Sequence, residues 1–343
     1  MHHQHAVQNN KFSVLVSSYK DSSYTDKDVY YTIDFDVTSS SYHMVVESHP
    51  CDSHLPSRSL SSDSCGALIG LASDRCNAYQ KMCLWNSLTR ERKNMFIRTS
   101  IRCRNYAYLF RNGVYYDCKI DDYKLFKLEC YEGYDDESCK VWVSRLGSNT
   151  WHRIAEMRYD VSRHSDICVT PLNGIIHWIE ESKVIFSFDI VEMQTKEIQI
   201  PSCYLENESY PFDDMEVGVL GEQLYLSVNA ADNIDLCVMK DYGVVDSWTK
   251  IFSLLKNEIN FGYLWPLHYL NKNCEILLHA YVCVEDEDSD KDVLVSYDLK
   301  SGRLVTLDIP CLPKYFSPTT VVGSLVSPNS GTFVGVANIS KVA

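Results

Sequence analysis

The stretch VLVSYDLKSGRLVTLDIP, residues 293–310, decides the fold. Apolar residues such as Val295 and Tyr297 alternate with others, so one face of a β-strand can be buried. Asp298 can accept a hydrogen bond from the backbone two residues on, and Gly302 tolerates a positive φ angle. The stretch therefore predicts two antiparallel strands joined by a tight polar turn.

This strand-turn-strand module recurs six times, at intervals of about 50 residues. The other copies are YYTIDFDVTSSSYHMVV (30–46), KMCLWNSLTRERKNM (81–95), KVWVSRLGSNTWHRI (140–154), KVIFSFDIVEMQTKEIQIP (183–201) and LCVMKDYGVVDSWTKIF (236–252). Apolar, glycine-containing hairpins precede three modules, at 64–71, 172–178 and 220–226. A repeat of this length with several strands per unit is typical of kelch-like blades. The expected fold is all-β, a six-bladed kelch-like β-propeller, in which polar residues such as Asn86, Asp189 and Asp298 form turns.

The two ends of the repeat predict how the propeller closes. KFSVLVSSY (11–19) alone precedes the first module, which leaves the first blade short of a strand. TTVVGSLVSP (319–328) is a spare β segment, and we expect it to pair into the first blade. The expected boundaries are a disordered tail over 1–10, one propeller domain over 11–328 and a C-terminal tail over 329–343.

Composition narrows the class of partner. The 343 residues include 32 Lys and Arg against 46 Asp and Glu, a net charge of −14, which disfavours nucleic acid and anionic membranes. No run of 18 apolar residues and no signal-peptide pattern is present in the sequence. We therefore expect a cytoplasmic or nuclear protein, or one in both, whose 14 scattered cysteines are reduced core thiols.

Several ordered elements resemble those of plant F-box-associated domains. They are SCGALIGL with LWNSLTRE (64–91), YYDCKIDDYKLFKL (115–128), VWVSRLGSNTWHRI (141–154), LNGIIHWI (172–179) and DYGVVDSWTKIFSL (241–254). They occur in the family's order over nearly the whole chain. Turn positions depart from the family pattern, with Ser87 following Asn86 and with Cys65 followed by Gly and Ala. The resemblance implies the target-recognition part of a Skp-cullin-F-box ubiquitin ligase.

An F-box is not expected in this sequence. Three helices of average length need about 35 residues, and the first predicted strand begins at Phe12. A Skp-type adaptor is therefore expected as a partner only if an F-box lies upstream. Two explanations stay open, a free-standing binding protein and a gene model that lost its F-box.

Catalytic signatures are lacking in the sequence. It has no G-x-x-x-x-G-K-[ST], G-x-G-x-x-G, H-E-x-x-H or G-x-S-x-G pattern. The acidic run 285–292 has the odd spacing of a calcium loop, but Lys291 and Tyr297 stand where Gly and Glu are required. His177, in a hairpin strand, is expected to be packed and hydrogen-bonded. We expect no cofactor, no metal and no catalysis. The alternative of another class is a propeller enzyme of sugar-oxidase or glycosidase type.

One segment has the opposite charge to the rest of the chain. Between residues 90 and 111, seven Arg and Lys side chains stand against Glu91 alone. This segment follows the second module, where a loop at the propeller mouth could bind a ligand. Guanidinium groups pair bidentately with carboxylate or phosphate, so an acidic or phosphorylated target protein is the expected partner; a solvated loop is the alternative. The candidate binding residues are Arg98, Arg102, Arg104, Tyr106, Tyr108 and Arg111.

Overall fold

The computed structural model describes residues 11–18, 29–36, 46–50, 59–65, 68–73, 79–86, 89, 91–98, 108–117, 119–120, 122–131, 138–146, 148, 150–158, 168–179, 184–205, 215–270, 274–282, 290–322 and 327–329. Within these ranges, strands form six four-stranded sheets, and the one α-helix, α1, spans Ser202–Leu205. None of the described helices is long and apolar enough to cross a membrane. The all-β prediction is confirmed.

The first of two compact units covers residues 1–36, 41–161 and 317–343. It contains three sheets, numbered here in chain order. Sheet 1 has the order β24-β1-β2-β3, formed by β24 (Phe316–Val322), β1 (Lys11–Ser18), β2 (Val29–Asp36) and β3 (Val46–Pro50). Sheet 2 comprises β4 (Ser59–Cys65), β5 (Leu68–Ser73), β6 (Tyr79–Asn86) and β7 (Arg92–Arg98). Sheet 3 comprises β8 (Tyr108–Asp117), β9 (Asp122–Tyr131), β10 (Ser138–Arg145) and β11 (His152–Arg158).

The second unit covers residues 37–40 and 162–316 and contains three more sheets. Sheet 4 comprises β12 (Cys168–Leu172), β13 (Ile175–Ile179), β14 (Val184–Asp189) and β15 (Gln194–Gln199). Sheet 5 comprises β16 (Met215–Leu220), β17 (Gln223–Asn229), β18 (Asn233–Met239) and β19 (Trp248–Leu255). Sheet 6 comprises β20 (Phe261–Leu270), β21 (Glu275–Val282), β22 (Lys291–Asp298) and β23 (Leu304–Thr306). Adjacent strands of sheets 4 to 6 are antiparallel.

The C-terminal strand completes the first sheet, as the sequence predicts. β24 lies beside β1, and the side chain of Ser17 donates a hydrogen bond to the carbonyl of Ser317 at 3.3 Å. The strand spans Phe316–Val322, so it begins three residues before the predicted segment 319–328. When the strands of each sheet are counted in chain order, with β24 placed first in sheet 1, the predicted module forms the third and fourth strands in all six sheets.

Polar residues form the predicted turns. The Oδ1 atom of Asp189 accepts the N–H groups of Val191 and Glu192, both at 2.8 Å. Asp298 does the same with Lys300 and Ser301, at 2.8 and 2.7 Å. In sheet 2, Asn86 accepts the N–H of Thr89 at 3.1 Å. Each side chain thereby accepts backbone N–H groups of the turn that are not paired between the strands. The prediction that these residues form turns is confirmed.

Apolar side chains hold neighbouring sheets together within each unit. In the first unit, Leu84 and Met95 of sheet 2 belong to one buried cluster with Val114 and Leu125 of sheet 3. In the second unit, sheet 4 packs against sheet 5 through a second cluster of buried hydrophobic residues. Burying one such side chain contributes about 1.5–3 kcal/mol, so these clusters fix the framework that carries the turns.

The prediction of reduced cysteines is wrong at one position. Cys139 of β10 is disulfide-bonded. The strand register places Cys130 of β9 directly opposite it. Spacing along the sequence does not reveal a pairing that depends on register. Free cysteines among the described residues are Cys83, Cys203, Cys237, Cys274 and Cys311.

Candidate functional site

An exposed apolar turn joins β18 to β19 in sheet 5. We name residues 241–247 the Tyr242 turn. Tyr242 is 40% exposed, Val244 50% and Val245 39%. Turns at the protein surface are ordinarily polar, because their backbone groups face water. An aromatic and two aliphatic side chains at such a tip are therefore suited to contact with another apolar surface.

Hydrogen bonds within the turn fix its shape. The hydroxyl of Ser247 accepts the N–H of Asp241 at 3.1 Å and donates to the carbonyl of Val244 at 2.7 Å. Gly243 has a φ angle of 80°, a conformation that residues with a side chain rarely adopt. The shape of the turn therefore depends on glycine standing between Tyr242 and Val244.

Sheet 4 anchors the turn from the side. The hydroxyl of Tyr242 lies 2.9 Å from Nε2 of His177, and the two rings meet edge to face with centroids 5.7 Å apart. The indole N–H of Trp248, directly after the turn, donates to the carbonyl of Gln199 at 3.0 Å. Tyr242 thus presents an exposed ring while its polar end is held by a buried partner.

His177 is a structural anchor in a dry environment. It is fully buried in β13, and burial lowers its pKa to about 3. The imidazole is therefore neutral at physiological pH, and its Nδ1 atom has no hydrogen-bond partner among the described residues. A histidine with so low a pKa is a poor general base near neutrality. The expectation of a packed, hydrogen-bonded His177 is confirmed.

Three further sets of buried polar groups are hydrogen-bonded, one in each of sheets 3, 5 and 6, with Tyr204 of α1 as a partner in the second. In sheet 3, Nζ of Lys127 lies 2.6 Å from Oε1 of Glu129, and the other oxygen of Glu129 accepts the indole N–H of Trp142 at 3.0 Å. In sheet 5, Asp235 accepts hydrogen bonds from Tyr204 and Lys250, at 2.6 and 2.5 Å. In both sheets the buried charged side chain is paired with an oppositely charged one, and these pairs belong to the framework of the fold.

The third set lies in sheet 6. Nε2 of His279 is 2.8 Å from Oδ1 of Asp292. Within the part of the chain that the structure describes, no group of three or more His, Cys, Asp or Glu side chains is arranged to hold a metal ion.

Only three of the six binding residues predicted from charge lie among the described residues. Arg98 is the last residue of β7, opposite Tyr79 in the register. Tyr108 begins β8, and Arg111 lies opposite Leu128 within the same strand pair. The remaining candidates, Arg102, Arg104 and Tyr106, lie outside the described residues.

The position of this segment refines the prediction. It does connect the second sheet to the third, as expected. Tyr108 and Arg111, however, belong to a strand and not to the loop, because the apolar alternation of β8 begins earlier than the run of charges suggests. Binding by these residues stays a prediction.

Sequence reasoning missed the Tyr242 turn as a surface. The pattern of DYGVVDSW predicts a turn within the fifth module but does not by itself predict a binding surface. Two valines and a tyrosine around a glycine, between two apolar strands, are the signal that could have found it.

Comparison with known proteins agrees with this architecture. Repeated four-stranded antiparallel sheets of this kind define the β-propeller class. A family model described as F-box associated beta propeller domain matches residues 24–327, so the chain belongs to that family.

Curated relatives are plant F-box proteins. F-box protein CPR1 of Arabidopsis thaliana is 28% identical over 240 residues, covering 62% of this chain and 55% of that protein. F-box protein At4g22390 of the same plant is 27% identical over 286 residues, covering 77% and 67%. Among solved structures, a prolyl endopeptidase is 13% identical with a TM-score of 0.44, covering 88% of this chain and 41% of that one. This chain thus spans about half to two thirds of the two F-box proteins' length.

Proposed function

We propose that this domain is a protein-interaction module that captures target proteins through the Tyr242 turn and has no catalytic activity of its own. The observation that carries the proposal is the pairing of an exposed aromatic ring with a buried anchor, Tyr242 with His177. A side chain already held in place loses little conformational entropy when a partner covers it. Aromatic residues in such positions are frequent anchors of protein interfaces.

In an F-box protein, such a module would act as the target-recognition part of a Skp-cullin-F-box ubiquitin ligase. Two kinds of support favour this role: membership of the F-box-associated family and the similarity to longer F-box proteins. A Skp-type adaptor would bind only through an F-box joined to the domain. The cytoplasm and the nucleus are the compartments we propose for it.

The basic segment supplies a second proposed contact. Arg98, Arg102 and Arg104 would pair with acidic or phosphorylated groups of the target, beside Tyr106, Tyr108 and Arg111. Its net positive charge in an otherwise acidic chain supports this role.

The test compares partner capture by matched variants. The tagged domain would be purified from plant cells with its bound proteins, as wild type and as the double variant Val244→Asp with Val245→Asp. Charges at the tip oppose burial against an apolar partner, so we expect the specific partners of the wild type to be lost. Val305→Asp is the control, since Val305 is 42% exposed on β23 of sheet 6.

Two results decide the matter. Loss of partners in the double variant, but not in Val305→Asp, supports the Tyr242 turn as the capture surface. An unchanged set of partners, with equal affinity for each purified one, contradicts it. Circular dichroism spectra and thermal unfolding of both variants show that they fold.

A further inference from the structure

Three rings stack on one face of sheet 6, and a fourth ring, that of Phe316 in β24, packs against the inner end of the stack. Tyr263 and Trp265 of β20 are parallel, with centroids 5.4 Å apart and planes 9° apart. Trp265 in turn stacks on His279 of β21 at 5.0 Å, and His279 contacts Phe316 at 5.4 Å. The stack therefore runs from the end of the sheet to the buried Phe316.

The two ends of this stack differ. At the inner end, Phe316 is buried and the His279 ring is held by Asp292 at 2.8 Å. At the outer end, Tyr263 is 44% exposed. Trp265 covers one face of the Tyr263 ring, so the exposed part is the other face and the ring edge. The outer end of the stack is therefore an aromatic ring that is partly exposed to solvent.

A carboxylate lies near the outer end of the stack. Tyr281 lies directly opposite Tyr263 in the strand register, and its hydroxyl donates to Oδ2 of Asp290 at 3.2 Å. The Asp290 carboxylate and the net charge of −14 on the chain therefore favour a cationic ligand at this end of sheet 6.

We propose that the open face of Tyr263 binds an arginine side chain of a partner protein. A guanidinium group is planar and stacks on aromatic faces, so it can form a further layer on the stack. Its N–H groups can at the same time pair with a carboxylate such as that of Asp290. Lysine carries the same charge but has no planar group to extend the stack.

This surface is separate from the Tyr242 turn, which belongs to sheet 5. The proposal goes beyond target capture by that turn, because it names a second contact and the chemistry of its ligand. Either can fail without the other.

The test uses three short labelled peptides that differ only in the side chain presented. Each has three copies of arginine, lysine or citrulline separated by glycine, and binding is followed by fluorescence anisotropy at low and at physiological salt. We expect the arginine peptide to bind about two- to fivefold more tightly than the lysine peptide. Citrulline, which keeps the shape of arginine without its charge, should bind weakest.

Variants assign the preference to the ring. Tyr263→Ala should abolish the difference between arginine and lysine, whereas Tyr263→Phe should keep it. Asp290→Asn should weaken both cationic peptides, because it removes charge and not the ring. Val305→Ala, at an exposed position of β23 in the same sheet, is the matched control and should leave all three affinities unchanged. Should the alanine variant not fold, Tyr263→Thr takes its place, since threonine has a high strand propensity.

Two outcomes would overturn the proposal. One is equal binding of the arginine and lysine peptides to the wild type, which indicates attraction by net charge alone. The other is an arginine preference that persists in a folded Tyr263→Ala or Tyr263→Thr variant, which places the site elsewhere.

Discussion

His279 and Asp292, on the neighbouring strands β21 and β22, lie 2.8 Å apart between Nε2 and Oδ1. The second oxygen of Asp292 accepts the backbone N–H of Phe316, also at 2.8 Å. Phe316 is the first residue of β24, the strand that completes sheet 1. One buried carboxylate therefore holds both the His279 ring and the backbone at Phe316, within the second unit.

Replacing Asp292 by Ala should destabilise the protein strongly. The change leaves the N–H of Phe316 buried without its acceptor and His279 without its partner, at a cost of about 3 kcal/mol or more. Asp292→Asn retains an acceptor and should cost less. Urea unfolding measures both, with Asp246→Asn in the exposed turn as the control. Equal stability of Asp292→Ala and wild type would refute the role given to this carboxylate.

Removing β24 should unfold the domain rather than loosen one end. A chain that stops at Lys314 leaves an edge of β1 unpaired and takes away Phe316, which is fully buried. We expect loss of the cooperative unfolding transition, followed by circular dichroism. A chain that stops at residue 329 retains β24 and is the control; if the shorter chain unfolds with the same midpoint as this one, the closing role of β24 is wrong.

Stability should fall with acid in a way that depends on His177. Its pKa is about 3 in the folded protein and about 6.5 in an unfolded chain. Between these values the unfolded state binds a proton that the folded state does not, so stability is highest above pH 6.5 and declines as the pH falls towards 3. The slope from this residue approaches about 1.4 kcal/mol per pH unit.

His177→Phe removes that titration. Its unfolding free energy, measured in urea between pH 4.5 and 7, should change less with pH than that of the wild type. An identical pH slope in the two proteins would show that His177 is not buried in its neutral form. Tyr242→Phe, which keeps the histidine, is the control.

The two partners of the ion pair in sheet 5 should differ in importance. Burial alone would raise the pKa of Asp235, but hydrogen bonds from Lys250, Ser253 and Tyr204 outweigh it and lower the pKa. Asp235→Ala leaves the buried Tyr204 hydroxyl without its acceptor, whereas the half-exposed Lys250 remains hydrated, so the change should cost about 1–3 kcal/mol. Lys250→Met leaves the buried Asp235 carboxylate without its cation and should cost about 3–5 kcal/mol. Similar losses in both variants, measured in urea, would contradict this ranking.

Local sequence patterns were enough to predict the repeated module. Alternating apolar residues and a turn-forming Asp or Asn determine a hairpin within about 18 residues, as around Asp298. The spare β segment at the C-terminus was likewise visible as an unpaired strand. Its pairing with β1 was predictable because the first module lacked one strand.

Features that depend on contacts between distant segments were not predictable. The hydrogen bond between Tyr242 and His177 joins residues 65 positions apart in two different sheets, and the sequence around neither residue predicts it. The disulfide at Cys139 depends on strand register, and the ring stack of sheet 6 joins β20 to β24. Charge counting identified the segment around Arg98 but said nothing of how its side chains are arranged.

Hydrogen exchange on the domain with and without a purified target tests the central claim most directly. The account predicts slower amide exchange at residues 241–247 when the target is bound, and a smaller effect at the basic segment. Unchanged exchange at residues 241–247 in a saturated complex would contradict it.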